Sequence, residues 1–389
     1  MREHIKLPPD NKTPIYVFDL VELERRIEYL RERLPKDTVF CYAVKANTFI
    51  LEKISCLVDR LEICSPGEYQ IARKLCLPPE QFVISGVNKD REFLENIISS
   101  ADPPGHYTVE SREQFNMIHN ISLNSGKKAD VLLRLTSGNQ FGMDEYEIYD
   151  IIDNFRNDRY VKIKGIQYFS GTQKNSLKKI GRELDYIDEF IEKTNEKYKF
   201  EFEEVEFGPG LPVAYFNEEQ YDEDAFLDAF SVLLNKMKFN GKKILELGRS
   251  IAASCGTYFT RVIDIKCNHG ENYAIVDGGI HQLVYYGQFM SMKHPKFYHI
   301  PEKEGEVKEW NICGSLCTIN DILVKKLPLK KLERKDMLAF QNTGAYCMTE
   351  GISLFLSRDL PQIVLFDGIK YSTVRERLDT FSINTPNSR

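Results

Sequence analysis

Short apolar runs alternate with longer amphipathic ones along most of this chain, and from Asp19 onward the alternation is regular. Asp19 is placed to cap a helix over Leu20–Leu34, whose apolar positions Leu20, Leu23, Ile27 and Leu30 share one face. Strands are predicted at Thr38–Val44, Leu61–Cys64, Phe82–Ser85, Tyr107–Val109, Val131–Leu135, Ile163–Phe169, Val205–Phe207 and Ile244–Leu247. Helical patterns lie between them, among others Pro66–Leu75, Arg91–Ser99, Glu110–Leu123 and Asp222–Lys236. Strand and helix in this alternation predict an α/β fold, a closed (β/α)8 barrel over residues 20–255. Past Gly256 the texture changes to strand-like segments at Phe259–Ile265, Tyr273–Asp277, Trp310–Ile312, Met337–Phe340 and Ile363–Phe366. A predominantly β domain is expected there, built from residues 256–389 and joined by residues 1–19 through the strand Ile15–Phe18. Pro301–Glu309 reads as a solvated loop.

Composition narrows the partners. A net charge of −6 over 389 residues gives no electrostatic footprint for nucleic acid or an anionic membrane. No apolar run approaches the ~20 residues of a membrane span, and Met1-Arg2-Glu3-His4 begins no secretory signal. The nine cysteines are odd in number and scattered, which suits a reducing cytoplasm better than a disulfide framework. No metal site is expected: Cys313 and Cys317 stand four apart with no second pair to complete one.

Barrels of this kind carry their chemistry at the carboxyl ends of the strands. Lys45 follows the apolar run Thr38–Val44, and an amine in apolar surroundings is pushed toward the neutral nucleophile that an aldehyde cofactor requires. Glu246 emerges from apolar strand positions, where a carboxylate is costly unless it meets a cation or a proton donor. Ser170-Gly171-Thr172 and Gly208-Pro209-Gly210 follow the sixth and seventh strands, and glycine lets backbone approach an anion closely. Cys313-Gly314-Ser315-Leu316-Cys317, Asp321 and Gly344-Ala345-Tyr346 add a thiol, a carboxylate and a phenol in glycine-bearing loops.

These segments, from about Pro14 to Tyr346 and in order, resemble the pyridoxal-phosphate-dependent decarboxylases of the diaminopimelate and ornithine decarboxylase group, which share the alanine racemase-type barrel. The likeness rests on Tyr42-Ala43-Val44-Lys45-Ala46-Asn47, Cys64-Ser65-Pro66-Gly67-Glu68, Gly171-Thr172-Gln173, Gly208-Pro209-Gly210, Glu246-Leu247-Gly248-Arg249, Gly314-Ser315-Leu316-Cys317 with Asp321, and Gly344-Ala345-Tyr346. It implies that Lys45 holds pyridoxal 5'-phosphate as an internal aldimine and that Glu246 pairs with the pyridine nitrogen. Thr172, Gly208, Gly210, Arg249 and Tyr346 would bind the phosphate, with Arg249 and Tyr346 also near the substrate. Phe169 stands where many relatives stack a histidine on the ring. Cys317 would reach into the partner's site in a homodimer, with Asp321 beside it, and protonate the α-carbon after CO2 leaves.

The departures concern substrate. Thr318 follows Cys317 where diaminopimelate decarboxylases carry a glutamate, and their substrate arginine aligns near Ser291, with Lys293 the nearest cation. The pattern resembles decarboxylases of antibiotic and siderophore pathways, some of which act on modified amino acids or on aminoacyl groups tethered to a carrier protein. Two rival readings differ in their residues. A racemase of the same barrel would want an arginine against the pyridine nitrogen, and a cofactor-free regulatory homologue would not need Lys45, Glu246, Cys317 and Tyr346.

Overall fold

In the computed structural model, which describes residues 12–386, the first element is strand β1 (Ile15–Asp19). The ends of the expected β domain, residues 1–11 and 387–389, lie outside the described residues. Asp19 Oδ1 accepts from the amides of Val21 and Glu22 at 2.9 and 3.0 Å and starts α1 (Leu20–Arg33), the cap that the sequence predicts. Parallel strands follow: β2 (Val39–Ala43), β3 (Arg60–Ile63), β4 (Phe82–Ile84), β5 (His106–Val109), β6 (Ala129–Arg134), β7 (Val161–Phe169), β8 (Glu204–Gly208) and β9 (Lys242–Leu247). Each pairs with the next and β9 pairs with β2, so the sheet closes into the expected barrel.

The connecting helices are α2 (Leu51–Ser55), α3 (Pro66–Lys74), α4 (Arg91–Ile98), α5 (Arg112–Ser125), α6 (Glu145–Phe155), α7 (Leu177–Tyr198) and α8 (Glu223–Lys236). Most begin on a side-chain cap: Ser65, Asp90, Ser111, Ser176 and Asp222 each accept a backbone amide of the first turn. Helix α5 starts two residues later than its periodicity predicts, because Ser111 caps it. Glu110 therefore stays extended, with its amide bonded to Gln114 Oε1 at 3.0 Å, and its carboxylate remains at a strand end.

Two units divide the chain. The barrel unit is Ile27–Pro212 with Asp222–Ser250; the other comprises the chain up to Arg26, Val213–Tyr221 and everything from Ile251. The second unit holds a sheet of β1 with β10 (Gly256–Asn268), β11 (Glu271–Val276), β12 (Phe297–Ile300), β13 (Val307–Cys313), β14 (Ile322–Lys330), β15 (Met337–Gln341), β16 (Gln362–Phe366) and β17 (Tyr371–Arg375). Strand β1 lies between antiparallel β10 and parallel β16, so the N-terminal strand does join the β domain. Ile15, Val17, Phe259, Ala339 and Val364 form an apolar cluster there. Strands β12, β14 and β17 carry no sequence signal of comparable strength. Lysines and Pro328 interrupt β14, as suits a strand at the sheet's edge, and β17 is largely exposed. No helix among the described residues is long and apolar enough to cross a membrane.

The barrel interior is not purely apolar. Cys41, Val83, Leu132 and Ile244 pack together, but Arg60 meets Glu204 through two bonds of 2.9 and 2.8 Å. His106 Nε2 lies 3.3 Å from the same carboxylate, and burial, helped by Arg60, pushes its pKa down to about 4. Two residues further along β8, Glu206 is fully buried, and neither of its oxygens has a hydrogen-bond partner among the described residues. Burial first, and then the nearby charge of Glu246, pushes Glu206 well above the ordinary carboxylate range.

A carboxyl group kept neutral in the folded state costs stability once the unfolded chain can ionise it, so this cost grows as pH rises above about 4.3. Glu206→Gln removes the ionisable group and leaves the shape. Melting curves of the cofactor-free protein between pH 5 and 8 should show a higher midpoint for the variant, with the gap widening as pH rises, and a shallower pH dependence. A lower midpoint with an unchanged slope would mean that Glu206 is ionised in the fold.

Candidate active site

After β2 the backbone tightens into a single 3-10 turn, Val44–Ala46, closed by the Asn47 amide on the Val44 carbonyl at 3.1 Å. Val44 and Ala46 are buried, while Lys45 between them lines a cavity at the carboxyl ends of the strands. Lys45 Nζ lies 2.5 Å from Glu62 Oε2, 3.6 Å from Glu246 Oε1 and 3.5 Å from Cys64 Sγ. The expectation of apolar surroundings for this amine is therefore corrected. Positions 62 and 246, set among apolar neighbours on β3 and β9, carry carboxylates, so the amine meets charge rather than hydrocarbon. Its side chain is also 40% exposed.

The two carboxyl groups have opposite tendencies. Burial pushes Glu246 up to about 7; the charge of Glu62 adds to this and that of Lys45 opposes it. Burial alone would raise Glu62 as well, but the charge of Lys45 and hydrogen bonds from Lys45 and Cys64 hold it below the ordinary carboxylate range. Neighbouring carboxylates in a buried site share a proton rather than ionise together. Below about pH 7 that proton resides on Glu246, and Glu62 is the anionic partner of Lys45. Gln167 Nε2 fixes the other edge of Glu246 by donating to Oε2 at 2.9 Å.

The cavity has a volume of about 450 Å³, within the usual range for a small-molecule site. On its wall, Arg134 Nη1 contacts Glu110 Oε1 at 2.5 Å, and the guanidinium lies 4.8 Å from the centre of the Phe141 ring. Phe169 ends β7 directly opposite Gly208 on β8, and it lines the same cavity. A Cβ on Gly208 would sit 2.4 Å from the Phe169 ring, so only glycine lets the ring lie there. Gly210 has φ +59°, and a Cβ on it would meet the Gly171 carbonyl oxygen at 2.2 Å. The loops carrying Thr172 and Gly208–Gly210 thus touch through glycines. Arg249 is buried at the start of α9 (Arg249–Ala252), just after β9.

The remaining residues expected at the site belong to the other unit. Cys317 is exposed in the loop between β13 and β14. Asp321 is buried, and its carboxylate accepts the amides of Ile280 at 2.8 Å and Leu316 at 2.7 Å, which ties that loop together. Lys293 Nζ lies 3.3 Å from Glu219 Oε1 and 4.8 Å from the Phe216 ring centre. Ser291 donates to the Ile322 carbonyl. Tyr346 takes φ +64° in a tight turn whose carbonyl accepts the amides of Thr349 and Glu350.

Among the expected site residues the cavity brings together Lys45, Phe169 and Glu246, while Thr172, Gly208, Gly210 and Arg249 do not line it. A lysine facing paired carboxyl groups at the mouth of a barrel suits an aldehyde cofactor bearing a basic ring nitrogen. The family model described as "Pyridoxal-dependent decarboxylase, C-terminal sheet domain" matches residues 15–344. The chain belongs to this family. It is a pyridoxal-phosphate-dependent decarboxylase, and the site fits the cofactor on two counts. Burial pushes Glu246 up to about 7 in an interior position suited to a pyridine nitrogen, and glycine at 208 and 210 lets that loop close against Phe169, which lines the cavity, and against Gly171.

The chain is 28% identical to the L-glutamyl-[BtrI acyl-carrier protein] decarboxylase of Niallia circulans, with 94% of this chain and 91% of that protein covered. It is also 28% identical to the 2-[(L-alanin-3-ylcarbamoyl)methyl]-2-hydroxybutanedioate decarboxylase of Staphylococcus aureus, over 90% and 93% of the two chains. The crystal structure of diaminopimelate decarboxylase from Helicobacter pylori with L-lysine has the same fold, with a TM-score of 0.84 at 23% identity, covering 96% of each chain.

Sequence reasoning passed over Glu62 and Gln167. Both had a signal: each is a polar residue inside an otherwise apolar strand, Leu61-Glu62-Ile63 and Ile166-Gln167-Tyr168, as Glu246 is.

Proposed function

We propose that this decarboxylase removes the α-carboxylate of an amino acid or modified amino acid, with Lys45 as the covalent anchor of the cofactor. The placement of Lys45 Nζ between Glu62 and Glu246 carries this reading. Bound pyridoxal phosphate would supply an electron sink for the carbanion left by CO2 loss. Glu246 would hold the proton on the ring nitrogen, and Gln167 would keep that carboxyl group in place. Glu62 would hold Lys45 Nζ in place until the cofactor binds. Phe169 would offer its aromatic face to the ring, without the proton-transfer capacity of a histidine. Thr172, Gly208, Gly210, Arg249 and Tyr346 would hold the phosphate, with Arg249 and Tyr346 near the substrate. A racemase is disfavoured because the group available to the ring nitrogen is a carboxylic acid, Glu246, with its side chain only 8% exposed, rather than an arginine.

Cys317 would protonate the α-carbon in the partner's site of a homodimer, held there by a loop that Asp321 ties to the backbone. Its exposure, beside Ile319 at 90% exposed, supports a role completed by a second chain, since a general acid works best shielded from water. Cys317→Ala should lower kcat by about 10²-fold. Mixing it with Lys45→Ala should restore about a quarter of wild-type activity, because half of the random dimers carry one intact site. No recovery on mixing would place both residues in one chain's site.

Nine free cysteines among the described residues support a reducing, cytoplasmic setting. Thr318, Ser291 bonded to a carbonyl, and Lys293 beside Glu219 offer no clamp for a zwitterionic distal end, which disfavours diaminopimelate. The Niallia circulans relative supports the second reading, a carrier-bound aminoacyl substrate. A panel of free and carrier-bound amino acids, assayed for CO2 with Lys45→Ala as control, tests both. Release from free diaminopimelate alone would overturn the substrate assignment.

A further inference from the structure

Beneath the two glycine loops lies an ion pair that no step above uses. Lys174 and Glu183 are both buried, with side chains 4% and 8% exposed, and Lys174 Nζ lies 2.6 Å from Glu183 Oε2. The same ammonium reaches Ser170 Oγ at 3.2 Å and the Gly208 carbonyl at 3.3 Å, and it sits 5.1 Å from the Phe207 ring centre. Ser170 in turn donates to Glu183 Oε1. The backbone amide of Lys174 bonds the Gly210 carbonyl at 2.8 Å. One residue therefore binds both loops, 170–174 and 208–210, at three points.

The consequence follows from peptide geometry. In a trans peptide, carbonyl and amide point in opposite directions. Holding the Gly210 carbonyl against Lys174 turns the Leu211 amide the other way. Pro209 contributes no amide, so this loop has fewer donors for an anion than its length suggests. Charge matters as well. Without Lys174, Glu183 would be an uncompensated anion beneath an anion-binding loop.

We infer that Lys174 is a positioning residue for the cofactor phosphate, shaping the cradle and cancelling the charge of Glu183 below it. The inference rests on the phosphate placement proposed above and adds a residue to it. The test compares the affinities of full-length, cofactor-stripped protein for pyridoxal 5'-phosphate and for pyridoxal, which lacks the phosphate. Wild type should prefer the phosphate form strongly. Lys174→Met should lower that preference by about tenfold, or about 1.4 kcal/mol, while pyridoxal affinity stays within about twofold of wild type.

Glu183→Gln carries the opposite prediction: it leaves a net positive charge beneath the loop and should maintain or raise the preference. A purely structural ion pair would give losses in both variants and for both ligands. If Lys174→Met fails to fold, the double variant Lys174→Met/Glu183→Leu replaces the pair with packed apolar groups and keeps the test open. Because the double variant carries no buried anion and keeps the backbone bond of residue 174 to Gly210, it isolates the ammonium's hold on Ser170 and the Gly208 carbonyl and should still lose part of the phosphate preference. An undiminished preference in whichever Lys174 variant folds overturns the inference. Failure of wild type itself to distinguish the two ligands, or no loss of preference in Gly210→Ala, would instead overturn the phosphate placement.

Discussion

Lys45→Ala should release no measurable CO2 from any substrate that the wild type accepts, a loss on the order of 10⁴-fold or more. The size follows from position. Lys45 sits on a one-turn helix with buried residues on either side, so no other amine can swing into its place without rebuilding the turn. Among the residues that line the cavity, Lys45 is the amine; Arg134 beside it is occupied by Glu110 and has no nucleophilic nitrogen at any working pH. Lys45→Arg should be as inactive as Lys45→Ala while keeping an ionic contact to Glu62. That comparison separates covalent chemistry from charge. Substantial turnover in either variant, measured as CO2 under saturating cofactor, would remove Lys45 from the proposed role.

The second large effect concerns Glu246. Glu246→Gln should lower kcat by about 10²–10³-fold, because a neutral amide cannot keep the ring nitrogen protonated and the carbanion loses its sink. The pH dependence of cofactor binding carries the same information with a definite sign. Below pH 7 Glu246 already holds the proton that the ring nitrogen needs; above it that proton must come from solvent. Cofactor affinity should therefore weaken as pH rises through about 7, by up to roughly tenfold per pH unit. Glu246→Gln should abolish this slope. Equilibrium titrations from pH 6 to 8.5 read it directly, and an identical slope in the variant would assign the titration to another group.

Much of the barrel was legible because its strands are short and rich in apolar residues, and its helices carry one apolar face and a polar cap. Asp19 and Ser65 are examples in which the capping residue marks where the helix starts. The β unit was harder to read. Strand β14 mixes lysines with apolar residues and contains Pro328, and β12 is only four residues of intermediate burial, held in the sheet by β15 further along the chain.

At the site, Lys45 and Glu246 stood out as charge in apolar context. Their relation to Glu62 did not, because it depends on which strand positions face the barrel interior at one level. The same alternation that marks a buried strand hides its inward polar residue until the barrel closes. Lys174 was invisible for a related reason: its importance comes from Gly208 and Gly210, more than thirty residues away.

The most direct test of the account is to reduce the cofactor-loaded protein with borohydride and map the labelled peptide by mass spectrometry. The account predicts a single pyridoxyl-phosphate adduct, on the ε-nitrogen of Lys45. A stable adduct on any other lysine, or none on a protein that still carries the cofactor, would contradict it.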